Sequence, residues 1–172
     1  MIICYNIKTM KRQVSSQTVY VGMSGGVDSS VASALLKKQG FNVVGVFMKP
    51  WQPTKGEVAC LWKEDREYAM MAAAAIGIPF ETWDFSKDYK LQVADYMIEE
   101  YKAGRTPNPD VMCNKEIKFG LFLKRAIKEG ADYVATGHYA RVKKNGSNYS
   151  LLAGKDKNKD QSYFLWTLTQ NQ

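Results

Sequence analysis

Val19-Tyr20-Val21-Gly22-Met23-Ser24-Gly25-Gly26-Val27-Asp28-Ser29-Ser30-Val31-Ala32 sets a β-branched apolar strand, a Gly-Gly turn flanked by hydroxyls and the start of a helix in one short run. A strand, turn and helix in this order suit the binding of phosphate. Tandem glycines reach backbone angles that other residues avoid, so successive N–H groups can face one anion, and the positive end of the following helix points the same way. Ser24, Ser29 and Ser30 add hydroxyl donors. The lysine-bearing type of phosphate loop needs Gly, four residues and then Gly-Lys-Ser/Thr; no lysine stands here, which argues for a different leaving group. Asp28 has two readings: it orients Mg²⁺ beside the phosphates, or it caps the first helical turn, where the dipole stabilises a carboxylate. The plain alternative, a glycine turn that binds nothing, is disfavoured by the clear strand before it and the clear helix after it.

The order Ser24-Gly25-Gly26-Val27-Asp28-Ser29-Ser30 resembles the PP-loop of the ATP pyrophosphatases. That resemblance implies that the β and γ phosphates of ATP are held here and that pyrophosphate leaves while AMP goes onto the substrate.

The chain of 172 residues, 45% of them apolar, suits one folded domain with a proper core and leaves no room for a second full one. No apolar stretch approaches the ~20 residues of a membrane span, and the start lacks the form of a secretory signal. Cys4, Cys60 and Cys113 are an odd number without paired metal-ligand spacing. They point to a reducing compartment, the cytoplasm by default, and to no protein-ligated metal. Residues 1–18 carry Lys8, Lys11 and Arg12 without an acid and read as a disordered extension, with a faint flavour of organelle transit. A net charge of +7 favours a polyanionic partner such as RNA, although charge alone does not decide it.

Asp28 to Gln39 reads as a helix ended by Gly40, and Phe41 to Met48 as a buried strand. Glu64 to Ile76 repeats the helix, Pro79 to Phe85 the strand, and Asp88 to Lys102 gives an amphipathic helix with apolar Leu91, Val93, Ala94, Met97 and Ile98. A Pro-rich loop, a helix over Ile117 to Lys128 and a strand over 132–137 complete a doubly wound parallel α/β sheet. Ligands of such sheets lie beyond the carboxyl ends of the strands, where Ser24 to Ser29, Met48 and Thr136-Gly137-His138 fall. Beyond the catalytic unit, 19–140, Tyr139 to Leu152 alternates around Asn145-Gly146 as a β-hairpin, and Gln161 to Leu168 begins an apolar helical stretch. Residues 141–172 are thus the hairpin and the start of a following region.

Gly104-Arg105-Thr106-Pro107-Asn108-Pro109-Asp110-Val111-Met112-Cys113-Asn114 is a stiffened connection carrying an acid and a thiol three residues apart. Placed on one side of a turn, Asp110 can act as a base or orient a proton, while Lys115 and the N-terminus of the next helix lower the Cys113 pKa. The alternative makes Asp110 a helix cap and Cys113 a small buried hydrophobe.

Taken with Cys113-Asn114-Lys115-Glu116-Ile117-Lys118-Phe119, Ala135-Thr136-Gly137-His138-Tyr139 and Lys159-Asp160-Gln161-Ser162-Tyr163-Phe164-Leu165, these motifs make the chain, from about Val19 to Leu168, closely similar to the tRNA-specific 2-thiouridylase family. In that family ATP adenylates the C2 oxygen of the wobble uridine of tRNA, and a persulfide sulfur then displaces AMP. The resemblance implies ATP, with Mg²⁺, on Gly22, Met23, Ser24, Gly25, Gly26, Val27, Asp28 and Ser29, with Met48 and Gly137 near the adenosine. It implies that Asn108, Pro109 and Asp110 contact the target base, that Asp110 is the acid or base, that Cys113 is the nucleophile, and that Lys159, Asp160 and Gln161 contact tRNA. His138 is read as structural. The chemistry is coherent, since a uracil carbonyl cannot expel its oxygen until that oxygen is made a phosphate ester. The family's persulfide carrier is a second, downstream cysteine, and no cysteine follows Cys113 here. The sequence is therefore read as an N-terminal catalytic portion, supplied with sulfur by a persulfide donor protein, a cysteine desulfurase or a relay. The rival readings are a PP-loop enzyme of the amidotransferase type, which has no need of Cys113, and an ATP- and RNA-binding module without turnover.

Overall fold

A computed structural model describes residues 3–6, 17–53, 61–170 and 172. The β-branched runs that the sequence marks as strands form β2 (Thr18–Gly22), β3 (Asn42–Lys49), β4 (Phe80–Asp84) and β5 (Tyr133–Thr136), while β1 (Ile3–Asn6) adds an edge. The sheet order is β1-β5-β2-β3-β4. β2 pairs in parallel with both β3 and β5, and β3 in parallel with β4, whereas β1 runs antiparallel to β5. The doubly wound parallel α/β sheet expected from the sequence is therefore present, with its direction of winding reversing between β2 and β5. β1 departs from the reading of residues 1–18 as a disordered extension: the outer edge of β5 offers unpaired N–H and C=O groups, and Ile3–Asn6 satisfies them. Lys8, Lys11, Arg12 and Cys60 lie outside the described residues.

Helices cover both faces. α1 (Val27–Lys38) and α2 (Leu61–Ile76) pack Leu36, Ala69 and Ala73 against Val19, Val21 and Phe47. On the other face lie two longer helical runs that change winding along their length. The first is α3 (Ser86–Tyr89), a π-helical segment Lys90–Asp95 and α4 (Tyr96–Lys102). The second is α5 (Pro109–Met112), a π-helical segment Cys113–Phe122 and α6 (Leu123–Lys128). Trp83 is the centre of this second core, with ring centroids 5.6 Å from Tyr20, 6.3 Å from Phe85 and 5.5 Å from Phe122, and with the Arg125 guanidinium over its ring at 4.3 Å. Of the apolar face read over Asp88 to Lys102, Val93 and Ala94 are buried, while Leu91 and Ile98 are exposed. A face drawn at 3.6 residues per turn does not survive a stretch wound more loosely.

β6 (Arg141–Asn145) and β7 (Asn148–Leu152) form the expected hairpin as a separate two-stranded sheet. The apolar stretch after Gln161 is one 3₁₀ turn, Ser162–Leu165, and not the helix expected. Leu165 pins it by burial against Phe119 and Ala140. Asn114, itself buried, donates from Nδ2 to the Phe164 carbonyl at 3.0 Å.

Phe122 is fully buried and touches Trp83. Phe122→Ala is expected to cost about 3–5 kcal/mol through lost transfer energy and the cavity left behind, measurable by denaturant unfolding.

Candidate active site

β2 ends at Gly22, and the chain turns through Met23-Ser24-Gly25-Gly26 into α1. Gly25 has φ +85°, and a Cβ there would stand 2.3 Å from the Asp65 carbonyl oxygen of α2, so only glycine fits both the angle and the space. Gly26 is the N-cap of α1 and no side chain caps the helix, which leaves the first-turn N–H groups without side-chain acceptors. The loop is wired by long hydrogen bonds: Ser24 N–H to Ser29 Oγ at 3.2 Å, Gly26 N–H to Ser24 Oγ at 3.4 Å, and Ser29 Oγ to the Gly26 carbonyl at 3.2 Å. Bonds this long are readily exchanged for shorter ones to anionic oxygens.

Asp28 does not cap the helix. Its Oδ1 accepts from Lys159 Nζ at 3.0 Å, and Lys159 also lies over the Tyr139 ring at 4.4 Å. The carboxylate, first by this hydrogen bond, raises the Lys159 pKa above its ordinary value. Gly137, just after β5, lies against this same first turn: a Cβ on it would stand 2.6 Å from the Ser29 nitrogen.

The connection from Gly104 ends earlier than its sequence suggests. Asn108 is an N-cap, its Oδ1 accepting from the N–H groups of Asp110 at 3.1 Å and Val111 at 3.2 Å, with Pro109 in the first turn. Asp110 and Cys113 are therefore helical residues, not loop residues, and Asn108 rather than Asp110 does the capping. Nor is the Cys113 pKa lowered as the sequence reading had it. Burial raises it, Lys118 opposes that, and Asp110 adds to it. Lys115, the lysine the sequence reading chose, is exposed and pairs with Glu116 at 3.0 Å.

These parts share one cleft of about 640 Å³ at the carboxyl ends of β2, β3 and β5. Gly22, Met23, Ser24, Asp28 and Ser29 line it from the loop, Met48 from β3, Asp110, Cys113 and Lys118 from the α5 helical run, and Gly137 and Gln161 from the far side. Gly25, Gly26 and Val27 form the loop backbone beside it, and Val27 is largely exposed. Lys49, Trp62 and Tyr89 complete the walls, and Lys118 and Tyr89 are cleft residues to which sequence reasoning assigned no role. Burial drives the Tyr89 phenol up to about 12, so it stays protonated. His138 is held by Thr136, with Oγ1 to Nδ1 at 2.7 Å, and its pKa falls to about 4, through burial first and the Lys118 ammonium second. The ring is thus held neutral on the cleft wall.

The Lys159-Asp160-Gln161 segment divides. Lys159 turns to Asp28, and Gln161 reaches the cleft while its Oε1 accepts from Tyr139 N–H at 3.0 Å. The Asp160 carboxylate is spent inside its own loop, accepting from Gly154 N–H at 2.8 Å, Ser162 N–H at 3.1 Å and Ser162 Oγ at 2.9 Å. The two backbone bonds, Gly154 first, lower its pKa. Among the described residues no group of three His, Cys, Asp or Glu is arranged to hold a metal, and no helix is long and apolar enough to cross a membrane.

The model of the tRNA methyl transferase HUP domain matches residues 17–172. The chain belongs to this family. Among curated proteins, this HUP domain is 56% identical over 160 residues to the tRNA-specific 2-thiouridylase MnmA of Christiangramia forsetii, covering 90% of this chain and 40% of that protein. It is 53% identical over 162 residues to the protein of that name from Bacillus subtilis, covering 94% of this chain and 44% of the relative. With the one from Halalkalibacterium halodurans it shares 56% over 154 residues, 90% of this chain and 42% of the relative. The chain thus spans less than half the length of these relatives.

Two predictions follow from this geometry. Gly137→Ala forces the α1 first turn off the end of β5 and is expected to cost about 1–3 kcal/mol, as overpacking does, measurable by denaturant unfolding. His138 titrates near 6.5 when unfolded and near 4 when folded, so the unfolded chain binds more protons between these values. Stability from this group is present above about pH 6.5 and is lost as pH falls towards 4, on the order of 3 kcal/mol in all. His138→Gln should flatten that part of a stability-against-pH curve.

Proposed function

We propose that the chain carries the catalytic chemistry of ATP-dependent 2-thiolation of the wobble uridine of tRNA. The observation that supports this most directly is that the phosphate loop, Asp110 and Cys113 open into one cleft. A loop for the phosphates alone would suit any adenylating enzyme, and a cysteine alone would suit any buried position; their meeting calls for both activation of an oxygen and entry of a sulfur.

The residues fit ATP. Gly25 in the left-handed region, the uncapped N-terminus of α1 and the hydroxyls of Ser24 and Ser29 form a cradle for phosphate oxygens, and the cleft has the volume expected for a ligand of this size. Met48 and Gly137, which line the same cleft, are assigned to the adenosine. When bound, ATP supplies the adenylyl group that turns the uracil C2 oxygen into a leaving group. Mg²⁺ would come with the phosphates, and Asp28 would receive it once the contact with Lys159 is exchanged. Asp110 would take or give the proton of the base, and the Cys113 thiolate would attack the persulfide of a donor protein, forming a disulfide with the donor's cysteine and releasing the outer sulfur as hydrosulfide to displace AMP. Asn108 serves by capping the helix that presents them, and Pro109 by starting it. The net charge of +7 and the kinship with tRNA-specific 2-thiouridylases support tRNA as the polyanion.

The test is product analysis of labelled ATP with Mg²⁺, with and without unmodified tRNA bearing a wobble uridine. Pyrophosphate and adenylated tRNA are expected only with the tRNA, and free AMP once a persulfide donor is also present. ADP, or AMP regardless of tRNA, rejects the proposal. With a persulfide donor added, Cys113→Ala should abolish sulfur incorporation and the release of free AMP while pyrophosphate formation persists, and Asp110→Asn should slow turnover by about 10²–10⁴-fold, the usual worth of a positioned acid or base. Full activity of Cys113→Ala on another substrate would favour the amidotransferase type.

A further inference from the structure

Two cations close to the phosphate loop are already matched to carboxylates, Lys49 to Asp84 at 2.7 Å and Lys159 to Asp28 at 3.0 Å. Lys118 also lines the cleft and is half-buried, yet among the described residues no carboxylate forms an ion pair with it. Its position follows from helix winding. Cys113 and Lys118 are five residues apart in the π-helical segment Cys113–Phe122. In an α-helix at 3.6 residues per turn a residue five places on lies about 140° round the axis, whereas a π-helix closes its hydrogen bonds from i to i+5 and brings that residue back towards the same face. The chain shows this geometry elsewhere: in the π-helical segment Lys90–Asp95, the side chains five residues apart meet at 2.8 Å. Within the Cys113 segment, a Cβ on Gly120 would stand 2.9 Å from the carbonyl oxygen of Lys115, five residues back, which marks the same wide turn.

We propose that Lys118 is the positioning residue for the Cys113 sulfur: brought onto the cleft face by π-helical winding, its ammonium is the counter-charge that opposes burial and Asp110 and eases formation of the thiolate. The groups facing Cys113 set the balance it must tip. Asp110, one turn back on the same helical run, opposes the thiolate, and Tyr89 from α3 remains a neutral phenol. His138, beyond β5, is neutral, and burial itself opposes ionisation. Lys118 is the cation that acts the other way. An isolated thiol in this setting is a poor nucleophile, because the thiolate is the attacking form.

The inference takes its purpose from the reading of Cys113 as the attacking sulfur, but its test uses no ATP or tRNA, so the two can fail separately. Iodoacetamide alkylation of Cys113, followed by peptide mass spectrometry across a pH series, reads the thiolate directly. Lys118→Met should move the midpoint upwards by about one unit, which lowers the rate at pH 8 by about tenfold, while Lys118→Arg stays within about twofold of the unsubstituted chain. A Lys118→Met protein with an unchanged melting temperature and an unchanged alkylation profile overturns the proposal. In the unsubstituted protein, the Lys118 Nζ resonance in ¹⁵N NMR should shift at the pH where Cys113 ionises; a resonance indifferent to that step overturns it whether or not the variant folds.

Discussion

The contact on which the site depends is backbone against backbone. The first turn of α1 rests on Gly137 so closely that a single added carbon would stand 2.6 Å from the Ser29 nitrogen. On the other side of the loop, Gly25 lies against the Asp65 carbonyl of α2. The phosphate loop is therefore held between the end of β5 and α2 before any ligand arrives. Its glycines serve packing, and a loop so braced keeps its N–H groups from reorganising. The reversal of winding between β2 and β5 makes this possible, since it opens a crevice at the strand ends into which a helix N-terminus can drop.

Charge in the crevice is arranged around the same contact. An acid in the first turn of α1 would repel a polyphosphate, and Asp28 escapes that penalty through Lys159, which arrives from the loop beyond the hairpin. An exposed pair of this kind contributes little to stability, so it is easily exchanged for other partners. Lys159 is thereby tied to the phosphate end of the cleft. The Asp160 carboxylate, adjacent in sequence, is consumed in bracing its own loop, so neighbouring residues of one motif do unlike work: one neutralises, one braces, and Gln161 borders the cleft.

Much of this was legible in the sequence because it rests on short-range rules. The strands announced themselves by β-branched runs, α1 and α2 by their period and glycine stops, the hairpin by Asn145-Gly146, and the crevice by the rule that ligands gather at strand ends. What was not legible depends on winding and on distant partners. The capping strength of Asn108 extends the helix back over Asp110 and Cys113, where the two prolines suggested a loop. A reading at 3.6 residues per turn buries Leu91 and Ile98 with Ala94, and it gives no reason to prefer Lys118 to Lys115 beside the thiol. Both errors come from one source, the π-helical turns, which nothing in residue order signals. The Asp28–Lys159 pair spans most of the chain and has no local signature at all.

The groups with perturbed protonation also constrain how protons move in the cleft. His138 is the one histidine of the chain; it is pinned by Thr136 and stays neutral well below neutral pH, so it cannot gain a proton usefully. Tyr89 holds its proton well above neutral pH. Near Cys113 the cleft wall also carries Asp110 and Lys118. An acid one helical turn from a thiol is a costly neighbour for a thiolate, so a charge state that suits one works against the other. A cation on the same face relieves that conflict, and the π-helical turn, which gives up tight winding, is what brings a cation there.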